Sequence, residues 1–328
     1  MRPISVALLS VGLATPASAD LDEALDKHIL PGFARFAEAT ENLARATRED
    51  CRAEALNPAF HEAFDAWMPV ADLRLGPSGT GALSIAFWPD ARGFTPRTLG
   101  RLIAEEDPVA GDVERYVEVS IAARGLFALE MLAFDPEFSN YAEGSYTCRL
   151  VATIAADLDR QADALAAAWE HTYADTLRTA GDPSNTTYLT EQEAVRAIYT
   201  QILSSLDFTA DQRLGIPMGT FDRPRPARAE ARRSERSLRN AVLATKAAHG
   251  LATALADWNL PETDAALGHT REAATRIEDP GFQDVTEPQA RLRVEVLQQT
   301  VRALSGAIQS EIGARLGIAR GFNAQDGD

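Results

Sequence analysis

The amino-acid sequence predicts an all-α protein made of two tandem, related four-helix-bundle domains. Apolar residues recur at spacings of three and four through most of the chain, which is the period of an amphipathic helix. Helix start signals separate these stretches, for example Thr190 and Glu193, which form a capping box ahead of an apolar run. A short motif also recurs in the two halves. No convincing stretch alternates with the period of a strand.

Four apolar stripes predict the helices of the first bundle. Pro31 fits the first turn of the first helix, and Asn57-Pro58 fits the start of the second as N-cap and first helical residue. The Gly- and Pro-rich stretch 76–111 predicts an ordered crossover loop. The inner residues of the four helices are Phe33, Phe36, Thr40 and Leu43; Phe60, Phe64 and Trp67; Val113, Val117, Ile121, Ala128 and Met131; and Leu150, Ile154, Leu158, Leu165 and Trp169.

Four further stripes predict the second bundle. We place the domain boundary between residues 140 and 141, so that the domains are 20–140 and 141–328, and the helix that begins near residue 147 can pack with either. The inner residues of the second set are Val195, Ile198, Ile202 and Leu206; Leu238, Val242, Leu251 and Leu255; Leu267, Thr270, Ala274 and Ile277; and Leu297, Val301, Leu304, Ile308 and Ile312.

The motif A-D-x-R-L-G occurs in both halves. It covers Ala71–Gly76 and again Ala210–Gly215, each time after a predicted helix and ahead of a nearby proline. This equivalent placement predicts a duplication in which Arg74 and Arg213 occupy corresponding positions. A chance match in a chain rich in Ala and Leu is the alternative.

The first 19 residues have the pattern of a cleavable secretory signal. Arg2 precedes the apolar run Ile4–Leu13 and the small residues Ala17-Ser18-Ala19, which predicts cleavage after Ala19. A buried N-terminal helix is the alternative. No other stretch approaches the roughly 20 apolar residues of a membrane span. We therefore expect a periplasmic or otherwise exported protein that is soluble after cleavage and is not an integral membrane protein.

Charge and cysteine content agree with export. Without the leader, 31 basic residues oppose 48 acidic ones, a net charge of −17, which argues against nucleic acid as a partner. The acidity suits a cationic ligand, or serves solubility alone. Cys51 and Cys148 are the only cysteines, and in an oxidising compartment a lone pair favours a disulfide over two free thiols.

No catalytic signature occurs, so the sequence gives no support for an enzyme. H-E-x-x-H, G-x-S-x-G, the phosphate-binding G-x-x-x-x-G-K and C-x-x-C are all missing. His61 with Asp65, and His171 with Asp175, are four residues apart on a helix, a spacing that suits either metal chelation or hydrogen-bonded surface pairs. Seven arginines crowd the stretch Arg223–Arg239, where they either grip an anion or pair with acidic faces of the same protein.

The third predicted helix carries the most informative segment, Arg124–Phe134. Gly125 in a helix interior costs roughly 1 kcal/mol relative to Ala. Glu130 lies among apolar neighbours, where a carboxylate needs a partner. Close helix packing and a neutralising arginine are sufficient explanations for these two features.

This segment resembles the G-x-H-x-x-E signature of the imelysin-like proteins, with Gly125 and Glu130 matching and Phe127 in the place of the histidine. The resemblance extends over most of the mature chain. Its other motifs are Trp67, Arg74-Leu75-Gly76-Pro77, Ile85-Ala86-Phe87-Trp88-Pro89-Asp90 and Arg213-Leu214-Gly215-Ile216-Pro217-Met218-Gly219. The family implies an exported helical protein of two related bundles, associated with iron uptake, with the signature near their junction. It was first described as a peptidase family.

Phenylalanine cannot coordinate a metal, so Phe127 weakens the iron site and the peptidase chemistry that the family implies. The leading hypothesis is a periplasmic binding protein associated with iron uptake, whose ligand site at the bundle junction contains Glu130, Arg74 and Arg213. The ligand would be iron, another divalent metal or a small chelate. The alternatives are a structural or interaction protein that has lost the metal site and binds an envelope protein, and, third, a metallopeptidase.

Overall fold

The computed structural model describes residues 19–319, and the leader predicted for 1–19 lies outside them except for Ala19. Within the described residues the predicted all-α class is confirmed, since the only β-type pairings are two isolated bridges. The main helices are Leu30–Glu49 (α1), Ala53–Trp67 (α2), Ser78–Ile85 (α3), Phe94–Glu105 (α4), Val113–Tyr116 (α5), Gly125–Phe134 (α6), Tyr146–Ala168 (α7), Glu191–Phe208 (α8), Ser237–Leu255 (α9), Pro261–Ala274 (α10) and Pro288–Ile308 (α11).

Several helices continue through π-helical turns. Leu21–Glu23 and Ala24–Ile29 precede α1, and Asp20 caps this start by accepting the Glu23 N–H at 2.8 Å. π turns are rare and occur often at functional sites. The remaining extensions are Trp169–Tyr173 and Ala174–Arg178 after α7, Thr209–Leu214 and Gly215–Met218 after α8, and Gln309–Gly313 and Ala314–Leu316 after α11.

The helices pack in two groups of four. The first group contains α1, α2, α6 and α7, and the second contains α8, α9, α10 and α11. The helix predicted near residue 147 is α7, and it packs on α1 and α6 of the first group. Buried apolar side chains of both groups belong to one continuous cluster. The domain division at 140/141 and the duplication therefore remain predictions.

Most residues of the predicted apolar stripes are buried in the core. The prediction is wrong for Val117, which is 47% exposed because the predicted third helix breaks at this point. The half-buried members are Val113, Ile121, Leu238, Val242 and Ile277. In α1, Phe33, Phe36 and Leu43 are buried, and the ring of Phe36 lies 4.8 Å from that of Trp67 in α2. Thr40 is the one polar member of this stripe, and its hydroxyl donates to the Phe36 carbonyl at 3.1 Å. The intrahelical bond removes the cost of burying a hydroxyl group.

Two further predictions about the first half are wrong. Asn57 does not cap α2, because that helix begins earlier, at Ala53. The longer helix also buries Leu56. A proline near the helix start removes only one backbone hydrogen bond. The stretch 76–111 is not a loop, because it contains α3 and α4. Some of its glycines and prolines lie at helix ends, as with Gly93 at the N-cap of α4, where φ is +65°.

The predicted disulfide is present. Cys51 and Cys148 are bonded with their Cα atoms 5.3 Å apart, and the bond closes a segment of 97 residues. It ties the start of α2 to the first turn of α7. Within residues 19–319, no helix combines the length and the apolar character needed to cross a membrane.

Candidate functional site

The sequence pattern predicted that Gly125 lies inside a helix. In the structure it begins one. The predicted third helix breaks into α5, a 3₁₀ turn at Ile121–Ala123, and α6. The φ angle of Gly125 is +69°, and a Cβ at this position would lie 2.1 Å from the carbonyl oxygen of Ile85. Only glycine allows the α3 backbone to approach the start of α6 so closely.

Phe127 and Glu130 lie on consecutive turns of α6. The ring of Phe127 packs edge-on against Phe64 at 5.7 Å and is 8% exposed. Glu130 is 2% exposed, and its Oε1 accepts the backbone N–H of Ser234 at 3.1 Å and the Ser234 hydroxyl at 3.0 Å. The partner that the sequence predicted for this carboxylate was an arginine. The structure instead provides a turn between α8 and α9.

That turn is built on two residues with unusual backbone angles. Ala231 and Glu235 have φ values of +46° and +55°, so they occupy the left-handed region that side chains other than glycine rarely adopt. The angles aim the N–H of Ser234 at Glu130. Burial raises the pKa of the Glu130 carboxyl, and the bonds from this turn together with the charge of Arg233 only partly offset that effect.

Arg213 does not reach Glu130. Its guanidinium forms two hydrogen bonds with the Asp72 carboxylate, at 2.8 and 3.0 Å, and a third with Glu230 at 3.0 Å. The Ser205 hydroxyl donates to Asp72 as well, at 2.8 Å. All these groups are buried. Arg213 therefore joins the first motif copy to the second, and its guanidinium is held by Asp72 and Glu230, away from Glu130.

Arg74 is also separate from Glu130. Its backbone N–H donates to the Gln201 side chain at 2.8 Å, and its Nη1 is buried without a hydrogen-bond partner. The two motif copies differ in environment, since Asp211 is exposed and pairs with Arg302 whereas Asp72 is buried. Neither predicted arginine thus stands beside the signature carboxylate.

The other motif residues have structural roles. Gly76 has φ +47°, and a Cβ there would lie 2.5 Å from the ring of Tyr173. Asp90 accepts the N–H groups of Phe94 and Thr95 at 2.9 and 2.8 Å and so caps α4. The remaining ones are Trp67 in the core, Pro77 at the N-cap of α3, Trp88 against the ring of Phe208 at 6.0 Å, and Gly215 and Pro217 in the extension of α8.

The arginine-rich stretch 223–239 divides into two parts. Arg233 pairs with Asp135, and both Arg236 and Arg239 pair with Asp65. Within residues 19–319, the guanidinium groups at positions 223, 225 and 228 have no carboxylate partner. Arg232 donates to the backbone carbonyl of Ala227 instead. Pairing with acidic groups of the same protein therefore holds for Arg233, Arg236 and Arg239, and the first part is exposed and unpaired.

A cavity of about 290 Å³ lies where α6 meets the segment before α4 and the arginine-rich stretch. Phe127 and Glu130 of α6 line it, and so do Arg225 and Arg228 of the arginine-rich stretch. The other lining residues are Phe87, Trp88, Pro89, Asp90, Ala91, Gly93, Thr95, Pro96, Met131, Ile216, Ala227, Ala229, Ala231 and Arg233. Its walls come from both helix groups. Sequence reasoning missed Arg225, Arg228 and Ser234 as members of one site.

The residues around this cavity do not fit a directly coordinated iron ion. Within the part of the chain that the structure describes, no three His, Cys, Asp or Glu side chains are placed to hold a metal. His61 and Asp65 both bond to Arg236, and His171 and Asp175 are exposed. A zinc or iron site needs at least three protein donors with suitable geometry. Neither predicted His–Asp pair forms such a site.

Comparison with known proteins identifies the family. The family model described as imelysin matches residues 29–308. This chain belongs to the imelysin family. An imelysin-like protein from Psychrobacter arcticum 273-4 has a TM-score of 0.76 at 16% identity, covering 94% of this chain and 100% of that one. A protein from Parabacteroides distasonis ATCC 8503, described as an iron-regulated protein A precursor, has a TM-score of 0.69 at 13% identity, covering 91% and 96%. No curated protein matches.

The imelysin fold is therefore shared with these structures, whereas one signature residue of this member, the histidine, is replaced. The aromatic ring of Phe127 takes the position of the histidine, and the carboxyl group of Glu130 accepts a hydrogen bond from Ser234. A metallopeptidase needs a bound metal, an open coordination position and a base. The described residues around the cavity supply no such set.

Proposed function

We propose that this imelysin-family member is an exported binding protein associated with iron uptake, and that its ligand site is the cavity between the two helix groups. The observation that supports the proposal is the lining of the cavity, which contains the signature residues Phe127 and Glu130 together with two arginines that have no carboxylate partner. Ligand sites are typically concave and mostly apolar, with a few convergent polar groups. The iron-regulated name of one structural neighbour supports the link to iron.

Export is part of the same proposal. The leader pattern at 1–19 predicts a mature chain that starts at Asp20, which is the residue that caps the first helix. A disulfide between the only two cysteines suits an oxidising compartment such as the periplasm.

Iron would be cargo that is bound in chelated form. The donor set does not fit the bare ion, and the two arginines favour the negative charge of a chelate. Calorimetry on the mature protein should show binding of ferric citrate and none of ferrous or ferric salts. Absence of heat with ferric citrate and with every other iron compound tested would refute the proposed link to iron.

The second candidate is a structural or interaction protein that has lost the metal site. Phe127 in the histidine position and the bonds between Ser234 and Glu130 favour it. This candidate predicts no binding of any iron compound by the natural protein and metal binding by the Phe127→His variant. The same calorimetric series separates the two candidates.

A further inference from the structure

Two arginines of the cavity have no carboxylate partner. Arg225 and Arg228 line it, are exposed, and have no carboxylate partner among residues 19–319. The third cavity arginine, Arg233, is paired with Asp135. Two carboxyl groups also line the cavity, namely Asp90, which accepts two N–H groups at the start of α4, and Glu130. The lining thus has three guanidinium groups and two carboxyl groups, which is an excess of positive charge in a chain that is strongly acidic overall.

Much of the remaining lining is apolar, and several of its residues are aromatic. It contains Trp88, Phe127 and Ile216, together with Pro89 and Pro96. Trp88 is held edge-on by Phe208 and Phe127 by Phe64, so both rings are fixed before a ligand arrives. A preorganised aromatic surface binds a flat apolar group at low entropic cost.

We infer that the cavity binds a small aromatic carboxylate, with the carboxylate against Arg225 and Arg228 and the ring against Trp88 and Phe127. Guanidinium groups match carboxylates in geometry and charge, and they repel a free metal cation. A volume of about 290 Å³ is at the lower end of small-molecule sites, which suits one substituted ring. The inference rests on the proposed function only in taking this cavity as the ligand site.

The chemistry also gives a route by which iron reaches the site. An aromatic carboxylate with neighbouring hydroxyl groups chelates ferric iron through its oxygens, so the ligand can carry the metal without any donor from the protein. The metal-free form already contains both features that the cavity recognises. A binding test can therefore omit the metal.

The probe is 2,3-dihydroxybenzoate, titrated by calorimetry into the mature protein without metal. Catechol, which lacks the carboxylate, and citrate, which lacks the ring, serve as matched ligands. We expect saturable binding of the probe and affinities at least tenfold lower for both matched ligands. Arg225→Ala and Arg228→Ala should each weaken probe binding by roughly tenfold to a hundredfold, the loss of one charge-assisted hydrogen bond.

Arg223→Ala is the matched control. Arg223 belongs to the same arginine cluster, is exposed and unpaired, and does not line the cavity. Its loss should change the affinity by less than about twofold. Because all three arginines are exposed, circular dichroism should show unchanged folding in every variant. Rising salt should weaken probe binding, since exposed charges are screened.

The outcomes separate this inference from the proposed function. The inference would be overturned if the probe showed no saturable binding, or if the three variants lost equal amounts of affinity for it. Ferric citrate binding that Arg225→Ala and Arg228→Ala leave intact would overturn it too, while the link to iron would stand. Probe binding that needs both arginines, in a protein that binds no iron compound, would support the inference and refute the link to iron.

Discussion

At the residue scale, Glu130 shows how burial changes the chemistry of a signature position. Only 2% of it is exposed, and burial raises its pKa above the ordinary value of 4.5 despite two hydrogen bonds from Ser234. The protonated form is therefore favoured more in the folded protein than in the unfolded chain. The stability from this group is fully present below the unfolded pKa and is lost as the pH rises through the folded pKa.

Glu130→Gln keeps an oxygen for Ser234 and cannot ionise. The free energy of unfolding of the natural protein should fall relative to that of the variant as the pH rises from about 5 to about 8. The change is about 1.4 kcal/mol for each unit by which the folded pKa is raised. Urea unfolding of both proteins across this range measures it. Glu230 is also buried, but it is present in both proteins, so its contribution to the difference in unfolding free energy cancels. Parallel stability curves would contradict the assignment.

At the element scale, the start of α6 is fixed by a glycine. Gly125 combines φ +69° with backbone contact from α3, and these two features end the preceding 3₁₀ turn and set the direction of α6. That direction brings Phe127 and Glu130 to the cavity. The glycine in the family signature is thus a requirement of backbone geometry.

Gly125→Ala should lower the free energy of unfolding by about 2–5 kcal/mol, since it adds left-handed strain to a steric overlap. Chemical denaturation followed by circular dichroism measures the loss. The matched variant is Gly100→Ala inside α4, where a Cβ would meet nothing within 4 Å. It should raise the free energy of unfolding by about 0.5–1 kcal/mol. Equal effects of the two substitutions would refute the steric account.

At the scale of the whole molecule, a buried ion pair joins the two halves. Asp72 follows α2 in the first half, and Arg213 lies in the π turn after α8. Burial alone would raise the pKa of Asp72, but the charge and hydrogen bonds of Arg213 outweigh it and hold the pKa below its usual range. Glu230 shares the same guanidinium. The two motif copies therefore meet through unlike residues, Asp from one and Arg from the other.

Removal of Asp72 should be costly. Asp72→Ala leaves a buried guanidinium with one carboxylate partner and should lower the free energy of unfolding by about 3–5 kcal/mol. Asp211→Ala changes the same position of the second motif copy, where the pair with Arg302 is 56% and 47% exposed, and should cost less than about 1 kcal/mol. Urea midpoints of the two variants test the difference. Similar midpoints would show that the buried pair does not hold the halves together.

Much of the fold could be predicted because it depends on local periodicity. The stripe of α1 and the capping box at Thr190, where Glu193 donates its N–H to the threonine hydroxyl at 3.2 Å, are short-range features. The errors occurred at a glycine and a proline whose local sequence is compatible with two different positions in a helix. Pro58 and Gly125 each suit a helix interior or a helix start, and burial of distant residues selected between them.

The sequence by itself determined the helical class, the disulfide between Cys51 and Cys148, and the place of Glu130 in an apolar helix, because composition and spacing along one chain decide these. Only the tertiary structure decided the partners. Arg213 was expected beside Glu130 and binds Asp72, which lies 141 residues away. Arg225 and Arg228 line the same cavity as Phe127 and Glu130 of α6, although about 100 residues separate the two segments in the chain. A charge selects its partner by distance in space, and that distance exists only once the core has packed.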